Sequence, residues 1–226
     1  MSNPYVRASW GTLAGAMVFF AAIFIPAWTL GYWQGWAFFL TLMISTTFVT
    51  IYMALYDKPL LASRLRMGPT VEKTAVQKIT TSVGLLVVGS MFAIMPLDHR
   101  FGWSPAVPAY LSILGDVFGA LGILIYFLVI KENRFAAATV DVVEGQSVVS
   151  TGPCAIVRHP MYAGAILVFL GAPLALGSWW GFLLMPIVIG GFAWRLLDEE
   201  KYLRKNLPGY AEYMQAVGYR LIPYIW

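Results

Sequence analysis

The run Ser150-Thr151-Gly152-Pro153-Cys154-Ala155-Ile156-Val157-Arg158-His159-Pro160-Met161-Tyr162 gathers residue types that can handle an anion. Pro160 suits the first turn of a helix, where its missing N–H is no loss. Arg158 and His159 then stand beside free backbone N–H groups at the positive end of that helix, a ready site for negative charge. His159 and Tyr162 are three residues apart and share one face. The plainer reading has Arg158 holding lipid headgroups while His159 caps the helix.

A second cluster, Arg195-Leu196-Leu197-Asp198-Glu199-Glu200, follows the last apolar run. Arg195 and Glu199 lie one turn apart, so a surface ion pair is the plain expectation. Three acids at a basic membrane edge also suit a bound cation. The tail, with Tyr210, Tyr213, Tyr219, Tyr224 and Trp226, reads first as an interfacial aromatic belt and second as the wall of a pocket.

The elements that must position these groups are set by hydropathy. Of 226 residues, 59% are hydrophobic and 12% charged, against roughly a quarter charged in a soluble domain. Disorder, a collagen helix and a disulfide scaffold are excluded, the last because Cys154 is the single cysteine. A bilayer core needs ~20 apolar residues per helix. Candidate spans run Trp10 to Leu30, Trp33 to Leu55, Thr81 to Leu97 and Val107 to Ile130. The Gly31-Tyr32 link makes the first two an antiparallel hairpin. The first is not a signal peptide, because its apolar run is too long and no cleavage site follows. Met161 to Leu197, broken near Pro173, Gly177 and Ser178, reads as a hairpin of two helices of about 16 residues, ~24 Å each. Such helices tilt little, thin the bilayer or stop before the far side. The fold class is an all-α integral membrane protein of about six transmembrane helices, with a cytoplasmic C-terminal helical segment. Residues 1–130 form a four-helix membrane region, and residues 131–226 carry the chemistry.

All fifteen Lys and Arg residues except Arg100 fall on one side if the spans alternate. The positive-inside rule places both termini and the long loops in the cytoplasm. A net charge of +4 is explained by this orientation and not by nucleic-acid binding. Asp116, inside the fourth run, sits among Gly115, Gly119 and Gly122. These suit close helix packing, and an interhelical hydrogen bond or an outer-interface position is expected for the acid.

An anion site, carboxylates and aromatics at one membrane face complement a zwitterion with an onium group and a flat ring. S-adenosyl-L-methionine is one molecule with all of these. The same residues resemble a known family. Gly152-Pro153, Arg158-His159-Pro160-Met161-Tyr162-Ala163-Gly164, then Arg195, Glu199-Glu200, Leu203, Tyr210 and Tyr213 look like the isoprenylcysteine carboxyl methyltransferases, relatives of the membrane phospholipid N-methyltransferases. The resemblance covers the chain from about Asn133 onward. It implies a membrane methyltransferase with an S-adenosylmethionine site closed by the C-terminal segment, and a lipid-side opening for a hydrophobic acceptor. By position it implies that His159, Pro160, Met161 and Tyr162 line the cofactor pocket. Glu199, with Glu200 beside it, would hold the methionine ammonium, and Arg195 would face the acceptor. Gln146 to Val149, and Thr139, would serve the adenosine side. Where the family carries Tyr, this chain has Cys154. The expected partners are a lipid-like or small hydrophobic substrate and membrane lipids. A membrane reductase of the sterol type, with a nicotinamide cofactor, is the rival reading, although it calls for more cations around a dinucleotide.

Overall fold

The computed structural model describes residues 4–64, 68–72, 74–136, 142 and 145–226, and these form helices and loops with no strand. Thr139, Arg66 and Lys73 lie outside the described residues. The helices are α1 (Pro4–Ala27), α2 (Trp33–Tyr56), α3 (Lys58–Arg64), α4 (Ala75–Phe101), α5 (Ala109–Glu132), α6 (Pro160–Ala175), α7 (Met185–Asn206) and α8 (Tyr210–Ala216). Five are long and apolar enough to cross a membrane: α1, α2, α4, α5 and the run Trp179–Asn206 that contains α7. Met17, Ile44, Leu86, Ile113 and Ile187 are exposed around the bundle, as lipid-facing side chains should be.

Local signals explain the ends. Thr74 accepts from the Gln77 N–H and Gln77 reaches back, a capping box that starts α4 six residues before Thr81. At its other end Gly102 takes the left-handed conformation and stops the helix. Asp57 Oδ1 accepts the Leu60 N–H at 3.0 Å and so starts α3. Leu60 and Leu61 then pack on Val49, Met53 and Ile130.

The last hairpin departs from the sequence reading. Its arms are unequal: α6 has 16 residues, while Trp179–Asn206 runs for 28, six of them in a tighter 3-10 turn. The second arm does not stop at Leu197, because Glu199, Glu200, Lys201 and Arg204 are good helix formers. Leu207-Pro208-Gly209 ends it. Nor does the hairpin stop short within the bundle. The Tyr32 hydroxyl donates to the Leu176 carbonyl, and Ser178 Oγ donates to Asp98 Oδ2 at 2.6 Å. Its turn therefore lies level with the α1–α2 link and the end of α4.

Helices α5 and α6 touch backbone to backbone. A Cβ at Gly164 would lie 2.7 Å from the Gly122 carbonyl oxygen, and one at Gly171 would meet the Gly115 carbonyl. Small residues permit this approach where lipid supplies no hydrophobic drive. Gly119 instead faces Leu42 and Phe38 at an ordinary 3.6 Å. The pairing sets a register. Gly122 opposite Gly164 and Gly115 opposite Gly171 put Pro160 level with about Tyr126. The last six residues of α5 thus rise ~9 Å past the start of α6. That step makes room for the site.

Asp116 Oδ1 is buried with no hydrogen-bond partner, so this oxygen makes no interhelical hydrogen bond; the alternative, an outer-interface position, is not contradicted.

Candidate active site

An open cleft lies over the start of α6, between the end of α5 and the exit of α7. Gln146, Val149, His159, Pro160, Met161, Tyr162, Arg195 and Glu199 all line it. Glu200 lies behind that wall.

The two glutamates have opposite tasks. Neighbours on a helix point ~100° apart at 3.6 residues per turn. Glu199 turns toward the cleft and accepts the Tyr162 hydroxyl at 2.6 Å. Glu200 turns toward the tail and takes Arg158 Nε at 2.8 Å, His159 Nε2 at 3.3 Å and Arg220 Nε at 3.0 Å. It thereby fixes one imidazole nitrogen of His159, whose ring sits 5.7 Å from that of Tyr162.

Arg195 does not pair with Glu199. Its Nη2 meets Glu72 at 2.7 Å, Nη1 donates to Thr81 Oγ1 at 2.7 Å, and Nε donates to the Tyr162 hydroxyl at 3.1 Å. The expected surface pair is replaced because the segment before α4 folds onto α7, bringing buried Glu72 with it. Tyr162 is the bridge, donating to Glu199 while accepting from Arg195. Asp198 is used elsewhere: its Oδ2 accepts Thr74 Oγ1 at 2.9 Å and Gln77 Nε2 at 3.4 Å. The three acids thus have three separate sets of partners, and among the described residues no group of three or more His, Cys, Asp or Glu side chains is placed to hold a metal ion.

The entry of α6 is closed by the chain itself. The Arg158 N–H donates to the Tyr219 carbonyl and the His159 N–H to the Arg220 carbonyl, both at 2.9 Å. These two amides, which precede the helix, are therefore taken by the tail. Arg158 is no headgroup anchor either. Its Nη1 donates to the Met214 and Val217 carbonyls at 3.2 and 3.1 Å, where it satisfies the end of α8 and suits its negative pole.

The tail aromatics divide. Tyr224 is 88% exposed. Tyr210 and Tyr213 are buried and form a wall of the cleft, which corrects the expectation of a belt for this pair. They pack with Leu207 and Val217 in a small core of their own. Tyr213 donates to the Cys154 carbonyl at 2.7 Å. The Tyr210 hydroxyl is buried in the wall with no partner. Burial pushes both phenols well above their usual range, with nearby Glu199 and Glu200 adding at Tyr210. Both remain neutral donors. Burial, and then Glu132, also pushes the Cys154 thiol up. Gly152 has φ +56°, and a side chain there would strike Glu132. Beside it the Thr151 hydroxyl donates to Glu132 Oε2 at 3.1 Å.

Beside the cleft runs an apolar groove between α2, α5 and α6, lined by Val49, Met53, Ile123, Val168 and Phe169 among others. Met161 borders both spaces.

Sequence reasoning missed Arg64, Glu72 and the structural task of Arg158. A single acid standing between Arg66 and Lys73 was the one signal for Glu72. No curated protein and no solved structure matches the chain. Residues 110–208, which carry α5, α6, α7 and the His159, Arg195 and Glu199 positions, are similar to the phospholipid methyltransferase family, and that similarity points to methyl transfer within a membrane.

Proposed function

We propose that this protein is a membrane-embedded, S-adenosylmethionine-dependent methyltransferase acting on a hydrophobic or lipid-like acceptor, of the isoprenylcysteine carboxyl methyltransferase type. The observation that carries the reading is the shared cleft: His159, Tyr162, Glu199 and Tyr210 line one space although they come from α6, α7 and α8. The wall also fits a polar donor, since the Tyr210 hydroxyl is buried and lacks an acceptor. Such a group is costly to leave unmade.

In this reading Glu199, oriented by Tyr162, holds the methionine ammonium. Pro160 and Met161 form the floor, and Gln146 and Val149 serve the adenosine side. Tyr213, anchored on the Cys154 carbonyl, supplies an aromatic ring beside the position where the family carries Tyr. When bound, S-adenosylmethionine supplies an electrophilic methyl group on a sulfonium. The chain's main contribution is to hold donor and acceptor in line, an effect worth up to roughly 7–11 kcal/mol. A carboxylate or thiolate acceptor needs no base. With an amine acceptor, His159 takes the proton and Glu200 steadies the resulting imidazolium. The basic end of the bundle faces the cytoplasm of a cell membrane. The reductase reading calls for several free cations around a dinucleotide, whereas Arg158, Arg195 and Arg220 are each held by a glutamate and Arg64 alone among the arginines at the cleft has no carboxylate partner among the described residues.

Calorimetric titration of the purified protein in detergent with S-adenosylmethionine tests the proposal. A radiolabelled methyl assay on a lipid and small-thiol extract then identifies the product by mass. Folded protein that shows no binding at millimolar donor overturns it.

A further inference from the structure

Arg64, the last residue of α3, differs from the other arginines that line or back the cleft. Arg158, Arg195 and Arg220 each meet a glutamate within 3.0 Å. Arg64 has no carboxylate partner among the described residues. Its Nη2 points at Met161 Sδ, 3.2 Å away, and its Cζ lies 5.1 Å from the centre of the Tyr126 ring. Its Nε is buried without any partner. Burial pushes the guanidinium below its ordinary value, partly offset by Tyr126, Tyr162 and Glu199. A thioether and a ring face are weak partners for a guanidinium, so this half-buried cation lacks the charged or oxygen acceptor that its fork geometry suits.

The place is as telling as the charge. Arg64 and Met161 line the cleft, while Tyr126 and Met161 line the apolar groove. Arg64 therefore stands where the two spaces meet. The groove offers a headgroup little else. Thr46 and Thr50 on its wall spend their hydroxyls on the Leu42 and Thr46 carbonyls of their own helix, at 2.6 and 2.9 Å. A hydrocarbon chain fits such walls, and a charged head does not.

Resting on the methyltransferase reading, we infer that Arg64 seats the negatively charged head of an amphiphilic acceptor whose hydrocarbon tail lies in the groove between α2, α5 and α6. The resemblance assigns the acceptor side to Arg195, but each guanidinium nitrogen of Arg195 already donates to Tyr162, Thr81 or Glu72, and its charge is paired with Glu72. Arg64 retains open donors, in the fork geometry that matches a carboxylate or phosphate. A neutral or cationic head at this point would leave the half-buried guanidinium without a carboxylate or phosphate partner.

The test uses the full chain in nanodiscs of phosphatidylcholine, titrated with 11-(dansylamino)undecanoic acid and with the corresponding primary amide. The acid is expected to bind about tenfold more tightly or better, a difference of ~1.4 kcal/mol. Arg64→Gln should erase that preference, and Arg64→Lys should keep part of it. Equal binding of acid and amide by the wild type overturns the inference, as does an undiminished preference in Arg64→Gln. The wild-type ratio and Arg64→Lys carry the test where Arg64→Gln does not fold. S-adenosylmethionine binding by the wild type is measured in parallel. Protein that binds the donor yet treats both probes alike keeps the methyltransferase reading and loses the role of Arg64. Protein that binds no donor loses both.

Discussion

Arg158 Nε and Glu200 Oε1 meet at 2.8 Å with both side chains 5% exposed, so one buried ion pair joins the entry of α6 to α7. Through the Met214 and Val217 carbonyls the same guanidinium also holds α8. Removing one partner of a buried pair costs about 3–5 kcal/mol. Glu200→Ala should lower the unfolding temperature in detergent and open the tail after Leu207 to protease before the rest of the chain. A tail as resistant as wild type would show that the pair does not clamp it.

Tyr210→Phe separates binding from folding. The hydroxyl it removes is buried and unpaired, a state that costs about 1–3 kcal/mol. The ligand-free variant should unfold at the same temperature as wild type or higher. Its calorimetric affinity for S-adenosylmethionine should fall about tenfold with the loss of that hydrogen bond. A drop in stability with unchanged affinity would contradict the assignment.

Tyr162→Phe deprives Glu199 and Arg195 of their common partner. Methyl transfer should fall ~10- to 100-fold at saturating acceptor, as expected when a positioned group loses its support. Glu199→Gln should act mainly through weaker donor binding. Steady-state kinetics with each substrate varied in turn tells the two apart.

The glycines of the α5–α6 contact are not equivalent. Gly164→Ala must push a methyl group into the Gly122 carbonyl, overpacking that costs about 1–3 kcal/mol. Gly119→Ala meets only ordinary contacts and should be nearly silent in thermal unfolding. Equal effects at both sites would refute the register.

Cys154 should be a poor nucleophile while the protein is folded. Its thiol is buried and pushed up, so at pH 8 the thiolate fraction lies below that of an ordinary cysteine. Alkylation by iodoacetamide should be slow, should quicken only at higher pH than for a free thiol, and should jump on denaturation. Rapid labelling of native protein at pH 8 would disprove this.

The spans were legible because membrane helices announce themselves by length and hydropathy, and the caps at Thr74 and Gly102 only lengthened α4. His159, Tyr162 and Glu199 were legible as polar types bunched at helix ends. Sequence could not rank Glu199 against Glu200, since adjacent acids look alike until the helix phase is known. Nor could it pair Arg195 with Glu72, 123 residues away, because such a contact leaves no local pattern. Arg64 escaped for the same reason. A basic residue in a basic loop stands out only after its neighbours prove to be sulfur and a ring.

The offset between α5 and α6 has one more effect. Since α6 begins ~9 Å lower, the cleft is a notch cut into the rim of the bundle, with the apolar groove beside it. Under the proposed function, a water-borne donor and an oil-borne acceptor would enter by separate doors, and neither would have to change solvent.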